Sequence, residues 1–263
     1  MKCVIIDERK CTKDHLCVKV CPLGVLAPDG GGYPSGRPDR EEFCIACGHC
    51  YAACPSGAIT LGKYVDRTEE LLGPPPQIPR EVFAQFLKSR RSIRLFESRQ
   101  VSKEDLREIL DLASWAPSAK NGQPCRWLVF EDKDRIQRLK ELTVDWLAEN
   151  NRFPAIVEAW RNGADMILRN APCVVIVHAD GRGINPVVDC TIALSHFELI
   201  AHQFNLGVCW AGIFMGALQK HAAMRTFLDL PEGHVAYGAV MVGHPRVRYH
   251  RVPQREPARI TWR

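Results

Sequence analysis

The sequence has no long hydrophobic run. Nowhere in its 263 residues does a stretch approach the roughly 18 consecutive apolar positions that a membrane helix needs, so no membrane association is expected. The N-terminal run Val4-Ile5-Ile6 is too short for the core of a secretory signal, and a cytoplasmic protein is expected. Strong charge of one sign is missing too. Lys and Arg number 35 against 30 Asp and Glu, a formal net charge of +5, which is too mild to argue for a nucleic-acid partner. Residues 1–62 are balanced, with seven basic and seven acidic groups. The excess therefore lies in the remainder, where a local phosphate site is its best use. No Gly-x-Gly-x-x-Gly follows a strand pattern, and Gly181-Arg182-Gly183 is too short to serve, so a dinucleotide-binding Rossmann fold is unsupported.

Cysteine, by contrast, is abundant and unevenly placed. Eight of the twelve precede residue 55: Cys3, Cys11, Cys17, Cys21, Cys44, Cys47, Cys50 and Cys54. In a cytosolic chain such packing reads as metal binding rather than disulfides. Cys44, Cys47, Cys50, Cys54 and Pro55 form C-x2-C-x2-C-x3-C-P. Three closely spaced thiolates reach one cubane, and the fourth, turned away before proline, ligates another cluster. Zinc needs only four ligands, so iron–sulfur is favoured. An earlier segment keeps the frame as Cys11, Asp14, Cys17, Cys21 and Pro22.

The two segments resemble the bacterial two-cluster ferredoxins. That resemblance implies one 4Fe–4S cluster on Cys44, Cys47, Cys50 and Cys21. A second would use Cys11, Cys17, Cys54 and, at the departing position, Asp14. A carboxylate is a harder ligand than a thiolate, which leaves three states open: an Asp-ligated 4Fe–4S cluster, a 3Fe–4S cluster, or a solvent-ligated iron. A plain surface-turn role for Asp14 is the alternative. Cys3 falls outside the frame, in a strand pattern, and reads as buried rather than as a ligand.

The expected organisation is a two-cluster domain over 1–62, a linker over 63–79 centred on Gly73-Pro74-Pro75-Pro76, and a larger domain over 80–263. The larger domain alternates helix and strand patterns. Val82, Phe83, Phe86 and Leu87 make an apolar helix face. Ser102 caps a helix carrying Leu106, Ile109, Leu110 and Ala113. Strands are expected at Trp127–Phe130, Cys173–Val177 and Ala236–Val242, and helices at Ile136–Leu147, Ala155–Arg169 and Val187–Phe204. The class is α+β, a mixed sheet flanked by helices.

Arg90-Arg91-Ser92-Ile93-Arg94 offers three guanidiniums and a hydroxyl, a plausible phosphate clamp, although basic residues also gather at helix C-termini. Ala116 to Pro124 (APSAKNGQP) supplies amides suited to the edge of an isoalloxazine ring, with Pro117, Ser118, Asn121 and Gln123 as candidates. Leu206 to Gly212 (LGVCWAG) reads as a glycine-flanked turn. With APCVVIV, VDCTIA and the Arg251–Pro257 tail, these segments are similar to the nitroreductase family of FMN enzymes over about residues 88–257.

The resemblance implies FMN held by Arg90, Arg91, Ser92, Arg94, Asn121 and Arg255, with Trp210, Ala211 and Gly212 lining the flavin, in a homodimer with FMN at the subunit interface. Cys125 departs from the tryptophan the family often carries after Gln-Pro. The remaining cysteines, and His178, His196, His202 and His234, read as packing residues. Trp146, Phe153 and Trp160 shape a pocket or simply fill core. No side chain is singled out as acid or base. The expected activity is electron flow from an external donor, ferredoxin or NAD(P)H, through clusters to FMN and on to a small organic acceptor: a nitroaromatic, a quinone or an activated alkene. The rivals are an electron-transfer module with no substrate of its own, and dehalogenation or flavin fragmentation on the same fold.

Overall fold

The computed structural model describes residues 3–62, 73 and 76–263. The rest of the expected linker, 63–72 with 74 and 75, lies outside the described residues. Two compact units are present, Met1–Pro76 with Lys120–Gly122, and Gln77–Ala119 with Gln123–Arg263.

The first unit is built twice. Its halves are offset by 33 residues, as Cys11 and Cys44 or Cys21 and Cys54 show. Helix α1 (Leu16–Lys19) corresponds to α2 (His49–Ala52). The backbone repeats the left-handed conformation at matched positions: Lys13 and Ala46 (φ 59° and 49°), His15 and Gly48 (58° and 78°), Gly24 and Gly57 (both 60°). Non-glycine residues at such angles are uncommon, so the duplication extends to shape. Strand β1 (Val4–Ile6) pairs antiparallel with β4 (Ile59–Leu61), and β2 (Leu26–Pro28) with β3 (Pro34–Gly36). Val4, Cys17, Leu26, Ile59 and Leu61 form a small core. Cys3 precedes β1 and is half-buried, its N–H donating to Glu41 Oε1 at 3.2 Å.

In the second unit four strands run in the order β5-β6-β8-β7. They are β5 (Arg126–Phe130), β6 (Cys173–Asp180), β7 (Gly207–Trp210) and β8 (His234–Gly243). The strand pairs are antiparallel, and a parallel bridge of Ser92 to Val208 makes the β7 edge mixed. Strand β6 is apolar from Cys173 to Val177, where both its faces are covered. Cys173, Val175, Val177 and Ala179 face one layer with α4 (Lys103–Ala113) and α7 (Pro186–Gln203). Val174 and Ile176 face the other, with α5 (Lys133–Glu149), α8 (Gly212–Lys220) and α9 (Ala222–Leu228). Ser102 caps α4 as expected, its side chain accepting the Asp105 N–H.

Two sequence expectations are corrected. The helix expected over Ala155–Arg169 ends early: α6 covers Pro154–Arg161. Gly163 then turns left-handed at φ 81°, and Asp165 accepts the amides of Ile167, Leu168 and Asn170 at 2.8–2.9 Å. An aspartate satisfying three backbone donors makes a compact turn instead. The segment expected as a turn at Leu206–Gly212 is mostly strand β7, its β-branched and aromatic residues outweighing its glycines. The apolar helix face expected around Val82–Leu87 is present on α3 (Arg80–Ser89), with Val82, Phe83 and Leu87 exposed and Phe86 half-buried.

Candidate functional site

The first unit sorts its ligand candidates into two groups. Cys21, Cys44, Cys47 and Cys50 line one small pocket, walled by Val4, Val25, Leu26 and Leu61. Burial pushes the Cys50 thiol up to about 11, and Cys47, Cys21 and Cys44 act on it as neighbours. The second group surrounds Cys17. Its thiol is raised mainly by burial, with Cys54, Asp14 and Cys11 adding to the rise. Cys3 stands beside the first group; burial and then Cys44 and Glu41 push its thiol up to about 12. Among the described residues no three His, Cys, Asp or Glu side chains sit close enough to hold a single ion. A ring of separated soft donors around an apolar cavity fits a polynuclear iron–sulfur group, whose iron would hold these thiols deprotonated.

Two amides support the proline-side cysteines in matched fashion. Val25 N–H donates to Cys21 Sγ and Ala58 N–H to Cys54 Sγ, both at 3.3 Å. Asp14 is exposed. Its Oδ1 accepts the Leu16 N–H at 2.9 Å and its Oδ2 the Thr12 hydroxyl at 3.0 Å. Each oxygen keeps a free lone pair.

In the second unit, the Arg90–Arg94 segment leaves α3 and runs along β7, where the Ile93 N–H donates to the Val208 carbonyl at 3.0 Å. Gly207 permits this approach. A Cβ there would stand 2.6–2.8 Å from three Ile93 atoms. Arg90 forms an ion pair with Glu198 at 2.8 Å, with side-chain exposures of 25% and 12%. The other Glu198 oxygen accepts the Trp210 indole N–H at 3.2 Å. One turn on along α7, His202 Nε2 meets the Ser89 hydroxyl at 2.8 Å and its ring packs on Phe86. Glu198 and His202, four residues apart on one helix face, thus hold two of the segments that the sequence singled out. Sequence reading passed over Glu198 and took His202 as packing; only their spacing on α7 hinted at a joint role. Arg91 donates to the Lys88 carbonyl and Arg94 to that of Ser92.

The 116–124 loop is strained. Lys120, Asn121 and Gln123 all have positive φ, 47–52°, a conformation that non-glycine residues keep only when their surroundings enforce it. Asp189 in the first turn of α7, 4% exposed, accepts the Ala119 N–H at 2.9 Å. Ser118 Oγ accepts the Gln123 N–H at 2.9 Å, and Pro117 is exposed. Asn121 falls in the turn grouped with the first unit. Ala211 is buried, its N–H donating to the Ala239 carbonyl. At Gly212 an added Cβ would meet open space. Arg255 lies on a fully exposed tail. Trp146 is core, packed on Gly216, Trp160 packs against that core, and Phe153 is exposed.

Residues 87–244 match the model of the nitroreductase family. The chain belongs to that family. Residues 3–55, holding all eight N-terminal cysteines, match a 4Fe-4S dicluster domain. An Archaeoglobus fulgidus protein named as an NADH dehydrogenase/NAD(P)H nitroreductase is 31% identical over 60% of this chain and 82% of its own. A nitroreductase with bound FMN from Desulfitobacterium hafniense is 25% identical, covers 68% of this chain and 96% of its own, and superposes with a TM-score of 0.58. One from Bacteroides fragilis, also with bound FMN, gives 0.60 at 22% identity over 68% and 98%. As a nitroreductase-family member, the chain has its family segment running from α3 through β8. Arg255 lies beyond it, and the dicluster segment is additional to it. Among the described residues no helix is long and apolar enough to cross a membrane.

Proposed function

We propose that this chain is an FMN-dependent reductase in which two iron–sulfur clusters in the first unit deliver electrons, one at a time, for two-electron reduction of a small organic acceptor. Nitroaromatics, quinones and activated alkenes are the candidate acceptors, and ferredoxin or NAD(P)H the candidate external donor. The reading includes a cytoplasmic homodimer. The observation that carries it is the pairing, in one chain, of two cysteine groups at a 33-residue offset with the Arg90–Arg94 and β7 segments drawn together on Glu198. The bound FMN of the Desulfitobacterium relative supports the flavin.

Cys21, Cys44, Cys47 and Cys50 hold one cluster; Cys11, Cys17, Cys54 and Asp14 hold the other. The Val25 and Ala58 amides share the charge of the Cys21 and Cys54 sulfurs, and such hydrogen bonds tune potential. When bound, FMN accepts single electrons and returns them in pairs. Arg90, Arg91, Ser92 and Arg94 take its phosphate or ring, and Arg255 its phosphate. Pro117, Ser118, Asn121 and Gln123 address the ring edge, and Trp210, Ala211 and Gly212 line it. Glu198 fixes how Arg90 and Trp210 face that space.

Anaerobically purified protein should contain one FMN and roughly eight irons per chain, or about seven with a 3Fe–4S cluster at the Asp14 site. Near four irons, or FAD on extraction, overturns the reading. With reduced ferredoxin or NAD(P)H, turnover of none of the three acceptor classes would leave an electron-transfer module. Brief air exposure should produce a 3Fe EPR signal that Asp14→Cys suppresses. An identical signal in Asp14→Cys and Asp14→Ala would make Asp14 a turn residue only.

A further inference from the structure

The four cysteines of the second unit were expected to pack as small apolar residues. Two of them pack against each other. Cys125, leading into β5, and Cys190, in the second turn of α7, place their sulfurs 3.8 Å apart. Cys190 is fully buried, whereas Cys125 is half-buried. Cys173 and Cys209 are placed differently. Cys173 lies deep on β6 with its thiol pushed up by burial, and the Cys209 thiol donates to the Trp210 carbonyl at 3.7 Å.

We propose that Cys125 and Cys190 form a peroxide-oxidisable dithiol, with Cys125 as the attacked sulfur and Cys190 as the resolving one. The geometry divides the roles. A disulfide needs the sulfurs at about 2.05 Å with a torsion near 90°, and this pair starts from van der Waals contact at 3.8 Å. The accessible partner meets the oxidant first, and the buried one is reached only through it. Ionisation follows the same division. The Cys125 thiol is lowered, first by its hydrogen bond with Cys190 and also by Arg126. Cys190 is raised by the same hydrogen bond and by burial. The thiolate is the nucleophile, and the half-exposed Cys125, rather than the buried Cys190, is the one an oxidant can reach.

The chemistry balances with hydrogen peroxide as oxidant. The Cys125 thiolate attacks one peroxide oxygen, the O–O bond breaks, and Cys125 becomes a sulfenic acid as water departs after protonation. The Cys190 sulfur then displaces the sulfenic hydroxyl, losing its own proton, and a second water leaves as the S–S bond forms. The dithiol loses two electrons and the peroxide gains them. A thiol reductant reverses the product by exchange. The link would join the strained 116–124 loop to α7, where the Ala119–Asp189 hydrogen bond already ties them. None of this rests on flavin or clusters.

The test treats the anaerobically purified full chain with one equivalent of hydrogen peroxide, alkylates free thiols and digests with trypsin. Peptide 121–126 should appear joined to peptide 183–220, with tandem mass spectrometry assigning the bond to Cys190 rather than Cys209, and dithiothreitol should release it. In Cys190→Ala, dimedone should capture a sulfenic acid on Cys125. In Cys125→Ser, Cys190 should stay unmodified. Peptide 121–126 found alkylated, over-oxidised or joined elsewhere in the parent protein overturns the proposal, whatever the stability of the variants.

Discussion

His178 and His234 face each other across neighbouring strands, Nδ1 to Nδ1 at 2.9 Å. One ring must donate and the other accept, so the pair requires at least one neutral imidazole. Burial first, then His234 and Arg126, lower His178 to about 4. Its folded value lies below the unfolded value of about 6.5, so the unfolded chain binds more protons between the two. The contribution of neutral His178 is complete above about pH 6.5 and is lost as pH falls toward 4. At about 1.4 kcal/mol per pH unit it amounts to roughly 3 kcal/mol. Urea unfolding followed by tryptophan fluorescence should show that loss between pH 7 and 4.5, and His178→Leu should flatten most of it. The cluster cysteines are common to both proteins, so their acid lability cancels. An unchanged slope in the variant would assign the loss to other groups.

Among the elements, β7 and the segment laid beside it place the candidate flavin residues. That packing depends on one missing Cβ. Gly207→Ala would put a methyl 2.6–2.8 Å from Ile93, a β-branched side chain 6% exposed with little room to retreat. Overpacking of this kind costs about 1–3 kcal/mol. A lowered melting temperature with weaker FMN retention is the expected result, because displacing Ile93 displaces Arg90 and Ser92. A variant with parental stability would show that the segment shifts freely. The early end of α6 belongs to this scale as well. Apolar periodicity continued past Arg161 in the sequence, but the Asp165 carboxylate, paired with Lys140 at 3.5 Å, supplied the backbone acceptors that a longer helix would have had to supply itself.

For the molecule as a whole, two units with separate cores imply separable cofactor loading. Arg90→Ala should weaken FMN binding by about 1.5–3 kcal/mol, the range for a charge-assisted bond, and leave iron content at the parental value. It also deprives the 12%-exposed Glu198 of its ion-pair partner, so a fall in melting temperature should accompany it. Cys47→Ala should do the reverse, losing iron and keeping flavin. Loss of both cofactors in either variant would contradict independent loading. Charge is distributed on the same scale. Residues 246–263 carry six arginines and one glutamate, equal to the formal net charge of the entire chain, and all of them are exposed. Arg255 is one of the six.

The two cysteine frames of the dicluster domain were legible in the sequence because they are local: four positions within eleven residues, twice, with turns that the chain imposes on itself. Strands β5, β6 and β8 and the cap at Ser102 were legible for the same reason, through period and short motif. What the sequence alone could not determine lies between distant positions. Arg90 and Glu198 are 108 residues apart, and Cys125 and Cys190 are 65. Each of these residues has an ordinary local reading as a helix-end base, a helix carboxylate or a small core thiol. Only the packing of α7 against β7 and the 116–124 loop decided that one carboxylate would serve both an arginine and an indole, and that two of the thiols would meet.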